Sequence, residues 1–212
     1  MIADAVYLDN NTTSTSSLPC REISPLELSV TPIDKVIDVD LYLAGCPPHP
    51  TYIFDALVSL LEGRQPKATK ESVCAKCKRQ MKKSDVAVIK QHTDDIPDPD
   101  LCFLSQGYIC MGSATIDRCL SPCPTNGIPC TGCAGATMQI LSEPNRDIRT
   151  EIAERMARLT KIPKEDIVKE IEKSSKSHYS YTMASSMISE KPTFLINKWI
   201  HEANEDYEAA HG

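Results

Sequence analysis

Hydrophobic and polar positions alternate along residues 36–43, the first clearly patterned segment of the chain. The apolar residues Val39, Leu41 and Leu43 are separated by single polar or amphipathic residues. A period of two predicts a β-strand with one face turned to a core. The turn residues GCPP at positions 45–48 are expected to end this strand.

A helical pattern follows at once. Between Pro50 and Gly63 the apolar residues recur every three or four positions, at Ile53, Ala56, Leu57, Leu60 and Leu61. Proline suits the first helical turn and glycine the residue just past the last. The loop between strand and helix lies where α/β sheets bind their ligands. Cys46, in this loop, is therefore placed where a cofactor is expected, with a buried structural thiol as an equal alternative.

Residues 64–135 show little periodicity of either kind and many Gly, Pro and Cys residues. A short strand is predicted at 86–89, and a series of prolines interrupts the chain after it. We therefore expect that this region cannot build an ordinary core and is ordered by what its cysteines bind.

Helical periodicity returns in the last part of the chain. Pro144, Pro163 and Pro192 each open a segment with an apolar face, which predicts three packing helices. Between the last two, the uncharged segment YSYTMASSMI at 179–188 is either a strap on another subunit or part of the core. The patterns predict an α/β part at 1–63, an irregular part at 64–135 and a helical part at 136–212.

Composition narrows the class of protein. The 212 residues are 41% hydrophobic and 5% aromatic, which fits a folded chain with a modest core. No stretch reaches the roughly 18 consecutive apolar residues that a membrane span needs, and residues 1–10 lack the order of a signal peptide. We expect a cytoplasmic protein with no membrane span.

Ten cysteines are the chemical signature of the chain, and eight of them fall within 60 residues. Disulfides are rare in a reducing compartment, so metal or cluster ligation is the expected use. Cys20 and Cys46 stand apart, and Cys20 is interpreted as an incidental thiol. The clustered residues are Cys74, Cys77, Cys102, Cys110, Cys119, Cys123, Cys130 and Cys133.

The spacing of these eight cysteines favours iron-sulfur clusters over zinc. Only the pairs Cys74/Cys77 and Cys130/Cys133 have the C-x2-C form typical of zinc knuckles, and joining them would leave four cysteines unused. An iron-sulfur cluster accepts more scattered single thiolates. The Cys123-Pro124 pair and the neighbouring glycines at 107, 112, 127, 132 and 135 are also typical of cluster loops. Zinc remains the alternative.

A basic stretch accompanies the first cysteine pair. Residues 64–83 hold eight basic residues and one acidic residue, in a chain of net charge -6. The stretch lacks the aromatic or helical elements with which proteins recognise nucleic-acid bases, so we expect no nucleic-acid partner. A solvated face or a docking surface for an acidic partner is the preferred interpretation.

Three runs carry a resemblance to a known family: VDLYLAGCPPHP at 39–50, CFLSQGYICMGSATIDRC at 102–119 and PCTGC at 129–133. They resemble the small, electron-transferring subunit of [NiFe] hydrogenases. The likeness is strongest to the cytoplasmic viologen-reducing and deazaflavin-reducing enzymes of methanogens and to the sulfhydrogenase delta subunit. It covers residues 36–133 specifically and the C-terminal helices more loosely.

The resemblance implies two complete [4Fe-4S] sites. Cys74, Cys77, Cys102 and Cys110 resemble the distal ligand set, and Cys119, Cys123, Cys130 and Cys133 resemble the medial set. Cys46 resembles the last of four ligands to a third, proximal cluster that faces the nickel-iron site. The family fold implied for residues 1–63 is the C-terminal part of a flavodoxin-like domain.

The resemblance also contains a departure. The family's opening C-x2-C loop and a further proximal cysteine have no counterpart here, so this chain alone cannot complete the proximal cluster. We interpret the chain as N-terminally incomplete. A second polypeptide that supplies the missing half, or loss of that cluster, are the alternatives.

The predicted function is therefore electron transfer without bond chemistry on this chain. Electrons from H2 oxidation in a [NiFe] large subunit would pass through the medial and distal clusters to a flavin or iron-sulfur acceptor subunit. The alternatives are a zinc-binding assembly module and an iron-sulfur subunit of another oxidoreductase, such as the respiratory quinone reductases, which share the α/β domain.

Overall fold

The computed structural model describes residues 31–67, 69–143, 146–174 and 178. The chain divides into two units, residues 1–38 and 39–212. The described part of the first unit contains one 3-10 turn, Ile33–Lys35. The interpretation of Cys20, the helix expected after Pro192 and the segment 179–188 lie outside the described residues.

The strand predicted at 36–43 is wrong, although the burial pattern behind it is correct. The segment has no strand structure. Val39, Leu41 and Leu43 are nevertheless partly buried while the residues between them are exposed. A strand needs a neighbouring strand for its backbone hydrogen bonds, and the described residues place none beside it. The alternation therefore indicates which side chains are partly buried and not a sheet.

Helix α1, Pro50–Leu61, confirms the helical prediction. Proline occupies its first turn, the His49 side chain caps it by accepting from the Thr51 N–H at 3.3 Å, and Gly63 follows it with a φ of +68°. Its apolar face is largely uncovered, since only Ala56 and Ser59 are buried. The exposed apolar residues of α1 are Ile53, Phe54, Leu57, Leu60 and Leu61.

The cysteine-rich middle region does build an ordinary core, so the expectation that it could not is wrong. Strands are replaced by isolated bridges in the described residues, and none forms at 86–89. The regular backbone structure of this region includes short 3-10 turns at Val73–Ala75, Leu104–Gln106 and Met111–Ser113. The region buries Val73, Phe103, Leu104, Tyr108, Ile109, Met111 and Ala114. The loops that carry the cysteines therefore also carry the buried apolar side chains of the core.

Four further helices follow: α2 at Pro122–Thr125, α3 at Met138–Ser142, α4 at Ile148–Leu159 and α5 at Lys164–Lys173. The last two confirm two of the predicted C-terminal helices, with α4 beginning after the N-cap Asp147. They pack against each other, and α4 also packs on the 104–106 and 111–113 turns. Ile152, Met156 and Ile167 thereby join one core with the cysteine region.

The described residues thus form a mixed, mainly helical fold with little strand, and a flavodoxin-like remnant is not confirmed. Within the same ranges, no helix has the length and apolar character to cross a bilayer.

Candidate metal centre

The first group of cysteines assembles around the Val73–Ala75 turn. Burial raises the pKa of Cys74 to about 12, and the nearby thiols of Cys102 and Cys77 contribute to that rise. Two backbone bonds join the segments: Gln80 N–H donates to the Asp100 carbonyl at 2.7 Å, and Cys102 N–H to the Gln80 carbonyl at 2.8 Å. The first C-x2-C pair is thereby held beside Cys102.

An aromatic pair shapes the loop between Cys102 and Cys110. Phe103 and Tyr108 meet edge to face with ring centroids 6.3 Å apart, and both are buried. Gly107, with a φ of +92°, turns the chain between them. A Cβ at this glycine would lie 2.7 Å from the Val88 carbonyl oxygen, so the turn needs glycine. This folded loop accounts for the seven residues that separate Cys102 from Cys110.

Gly112 allows the backbone to approach two cysteine sulfurs. A Cβ added there would lie 3.3 Å from Cys74 Sγ and 3.6 Å from Cys110 Sγ. Cys110 is buried, and burial raises its pKa strongly, with the neighbouring Cys130 adding to the effect. Cys110 and Cys74 therefore both lie beside this glycine, and the Cβ atom of Cys130 is 3.7 Å from the same position.

The second group forms on the chain around α2. Burial raises the pKa of Cys119 and of Cys133, and the thiol of Cys123 acts on both. Burial likewise raises the pKa of Cys130 to about 11, with Cys133 and Cys119 among its neighbours. Cys123 lies within α2. The four cysteines of the predicted second set are therefore neighbours in space.

Asp117 organises the turn that follows Cys119, and sequence reasoning missed it. Its buried carboxylate accepts from the N–H groups of Cys119 at 3.3 Å and Leu120 at 2.9 Å, and from the Tyr52 hydroxyl at 3.3 Å. Leu120 and Ser121 adopt positive φ angles of 62° and 58°, which non-glycine residues rarely do. An Asp two and three residues before the N–H groups it binds is a recognisable turn signal.

Backbone N–H groups surround the cysteine sulfurs. Leu104 and Ser105 donate to Cys102, and Gly112 donates to Cys110. In the second group Gly132 donates to Cys130. Such donors stabilise a thiolate. Gly112 and Gly132 are two of the five glycines that the sequence places near these cysteines.

The two groups touch. The Cys130 N–H donates to Cys110 Sγ at 3.3 Å, and the Met111 N–H donates to the Cys130 carbonyl at 2.9 Å. A sulfur of the first predicted set is thus bonded directly to the backbone of a residue in the second.

Cys46 lies against the second group. It is exposed, and its backbone N–H donates to the Cys133 sulfur. The GCPP loop is held there by the His49 N–H, which donates to the Arg118 carbonyl at 2.7 Å. The loop that carries Cys46 therefore lies beside the second group of cysteines.

The thiols are candidate ligands for iron-sulfur clusters or for zinc. Across residues 31–67, 69–143, 146–174 and 178, no three His, Cys, Asp or Glu side chains converge as a single metal ion would require. A structural zinc gathers four ligands at about 2.3 Å from one ion, whereas a four-iron cluster takes one thiolate at each iron and spreads them apart. The N–H donors around the sulfurs suit a group that binds these cysteines as thiolates.

The basic stretch is only partly a free surface. The Arg79 guanidinium donates to the carbonyls of Pro124 at 3.0 Å, Leu101 at 3.1 Å and Asp98, and it stacks over Phe103 at 4.0 Å from the ring centroid. It therefore ties the loops of both cysteine groups together. Lys76 pairs with Glu71 at 2.7 Å. The exposed basic residues that follow the first cysteine pair without such a structural role include Lys78, Lys82 and Lys83.

Comparisons with known proteins identify relatives of this chain. The model of the NADH ubiquinone oxidoreductase 20 kDa subunit family matches residues 7–60. The vhu G subunit of the F420-non-reducing hydrogenase of Methanocaldococcus jannaschii is 41% identical over 62% of this chain and 46% of its own length. The G subunit of the F420-non-reducing hydrogenase of Methanothermus fervidus is 32% identical over 43% of this chain and 73% of its own.

A third relative, the sulfhydrogenase 2 delta subunit of Pyrococcus furiosus, is 27% identical over 52% of this chain and 40% of its own length. The chain belongs to the family of the F420-non-reducing hydrogenase G subunits. It spans about half the length of the first curated relatives it matches, 46% and 48%.

Proposed function

We propose that this chain is the iron-sulfur electron-transfer subunit of a [NiFe] hydrogenase. Cys74, Cys77, Cys102 and Cys110 would hold a distal [4Fe-4S] cluster, and Cys119, Cys123, Cys130 and Cys133 a medial one. The clusters would supply one-electron redox chemistry, while the chain itself would bind, bury and insulate them. The grouping of Cys74 with Cys77 and Cys102, and of Cys119 with Cys123, Cys130 and Cys133, supports two sets. Cys110 lies beside both Cys74 and Cys130, and its place in the distal set follows the resemblance.

The contact between Cys110 and Cys130 carries this proposal. The Cys130 N–H donates to Cys110 Sγ at 3.3 Å, and this hydrogen bond would give a short connection between the two proposed clusters. A storage or assembly role gives no reason for that adjacency, whereas a relay needs its centres close.

The partners proposed are a hydrogenase large subunit and a flavin or iron-sulfur acceptor, within the cytoplasm. Cys46 would belong to a proximal cluster on the large-subunit side, because its loop lies against the second group. The exposed lysines beside the first group would dock an acidic acceptor. Electrons would then enter at the second group and leave at the first.

Metal and sulfide analysis of the anaerobically purified full chain tests the proposal. Two clusters predict about eight iron and eight sulfide per chain. Cys77→Ser and Cys133→Ser, one from each set, should each reduce the iron by about half, while the matched control Cys46→Ser should keep it. Stoichiometric zinc with no sulfide would contradict the proposal.

A quinone-oxidoreductase subunit is the second candidate, favoured by the family model that matches residues 7–60. Co-purification from the native host discriminates the two. A nickel-containing large subunit supports the hydrogenase assignment, and a nickel-free complex that reduces quinone contradicts it.

A further inference from the structure

Arg155 reaches the first cysteine group from the C-terminal part of the chain. It lies on α4 between the fully buried residues Ile152 and Met156, and its own side chain is 32% exposed. Helix α4 packs on the 104–106 and 111–113 turns, which follow Cys102 and Cys110 closely. The guanidinium is thus held at the edge of the core beside the proposed distal site.

One N–H of this guanidinium has no acceptor among the described residues. Arg155 Nε is buried and unpaired there, whereas Nη2 donates to Glu151 Oε1 at 3.0 Å. Glu151 is fixed in turn by Arg146, whose Nη2 lies 3.0 Å from Glu151 Oε2. Leaving a buried N–H unsatisfied is unfavourable. An anionic group bound at the adjacent site would provide the missing acceptor.

The positive charge of Arg155 affects the pKa values of two proposed ligands, Cys74 and Cys102. Burial raises the pKa of Cys74 and of Cys102, and Arg155 opposes that rise at both. Arg158, one turn further along α4, is exposed and donates through Nε to the Glu154 carbonyl at 3.1 Å. The same helix therefore carries one arginine that faces the site and one that does not.

We propose that Arg155 is a positioning residue that acts as counter-charge to the distal cluster and makes it easier to reduce. The inference rests on the proposed function, because it needs a cluster in the first cysteine set. Reduction adds one electron, and hence one negative charge, to a site of buried thiolates. A fixed positive charge beside it stabilises the reduced form and raises the reduction potential.

Redox titration of the full chain, followed by electron paramagnetic resonance, tests this role. Arg155→Gln should shift one of the two cluster potentials to a more negative value and leave the other unchanged. Arg155→Lys, which keeps the charge, should stay closer to wild type. Arg158→Gln is the matched control and should move neither potential.

Glu151→Gln provides a second, opposite test. It removes the negative charge that partly neutralises Arg155, so the same potential should become more positive, and the exposed control Glu154→Gln should leave it unchanged. A structural role alone predicts no such opposition of sign.

Unchanged potentials in Arg155→Gln and Glu151→Gln, with full iron content, would overturn the proposal. So would a shift of both variants in the same direction. A wild-type chain without iron would instead contradict the proposed function, which keeps the two failures distinct.

Discussion

Two regions of the molecule treat their aromatic and aliphatic side chains in opposite ways. Phe103, in an irregular loop between cysteines, is 2% exposed, whereas Phe54, on the regular helix α1, is 69% exposed. In these two regions the helical periodicity is strong where the side chains are exposed and absent where they are buried, whereas periodic residues of α4 such as Ile152 and Met156 are fully buried. A helical pattern therefore indicates which face of a helix can pack against a partner, and not that this face is buried. In the cysteine region the loops bury their apolar side chains against one another.

The largest expected effect separates these two phenylalanines. Phe103→Ala should lower the free energy of unfolding by about 3–5 kcal/mol, because it leaves a cavity beneath Arg79 and Tyr108. Phe54→Ala should change it by less than about 0.5 kcal/mol in the isolated chain. Chemical denaturation of the two variants under identical anaerobic conditions measures the difference. Equal losses would show that α1 is covered and would break the comparison.

Arg79→Ala should have the next largest effect and lower the free energy of unfolding by about 2–3 kcal/mol, since three carbonyls lose a charged donor. Lys78→Ala, one position earlier and exposed, should be neutral within about 0.5 kcal/mol. Thermal unfolding followed by circular dichroism compares the pair. A neutral Arg79→Ala would remove the claim that this arginine ties the two cysteine loops together.

Asp117→Asn should destabilise the turn that carries Cys119 by about 1–2 kcal/mol, because a neutral amide accepts less strongly from the Cys119 and Leu120 N–H groups. Iron content after mild chelator challenge reports the loss, with the exposed Asp85→Asn as control. Iron retention equal to that of the control would contradict the role of Asp117 in holding the turn.

The smallest effect on stability is expected on the basic surface. Reversing charge at Lys78, Lys82 and Lys83 together should leave unfolding nearly unchanged but slow electron transfer to the acceptor at low salt, with the difference shrinking as salt screens it. Stopped-flow kinetics across ionic strength measure it. A rate unaffected at low salt would place the acceptor elsewhere.

The sequence predicted the longer helices α1, α4 and α5 well, and it missed the short helices α2 and α3 and the fold of the loops. Proline and glycine at the ends of α1 act locally, so its bounds could be read directly. The strand at 36–43 failed because pairing depends on a neighbour that no local pattern reveals.

The candidate site divides in the same way. The spacing and resemblance identified eight cysteines as candidate ligands, and the structure places these residues near one another, while their division into two ligand sets stays a prediction. Asp117 and Arg155 could not be assigned to the site in that way, because the Tyr52 contact of one and the loop contacts of α4 join positions far apart in the chain. Only Asp117 carried a local signal, in the turn it caps.

The central claim is that two adjacent clusters form a relay through the contact between Cys110 and Cys130. Electron paramagnetic resonance of the fully reduced full chain tests it most directly. The account predicts two cluster signals broadened by magnetic interaction, which sharpen to one isolated signal in Cys77→Ser and in Cys133→Ser. Two unbroadened, independent signals, or no cluster signal from an intact chain, would contradict it.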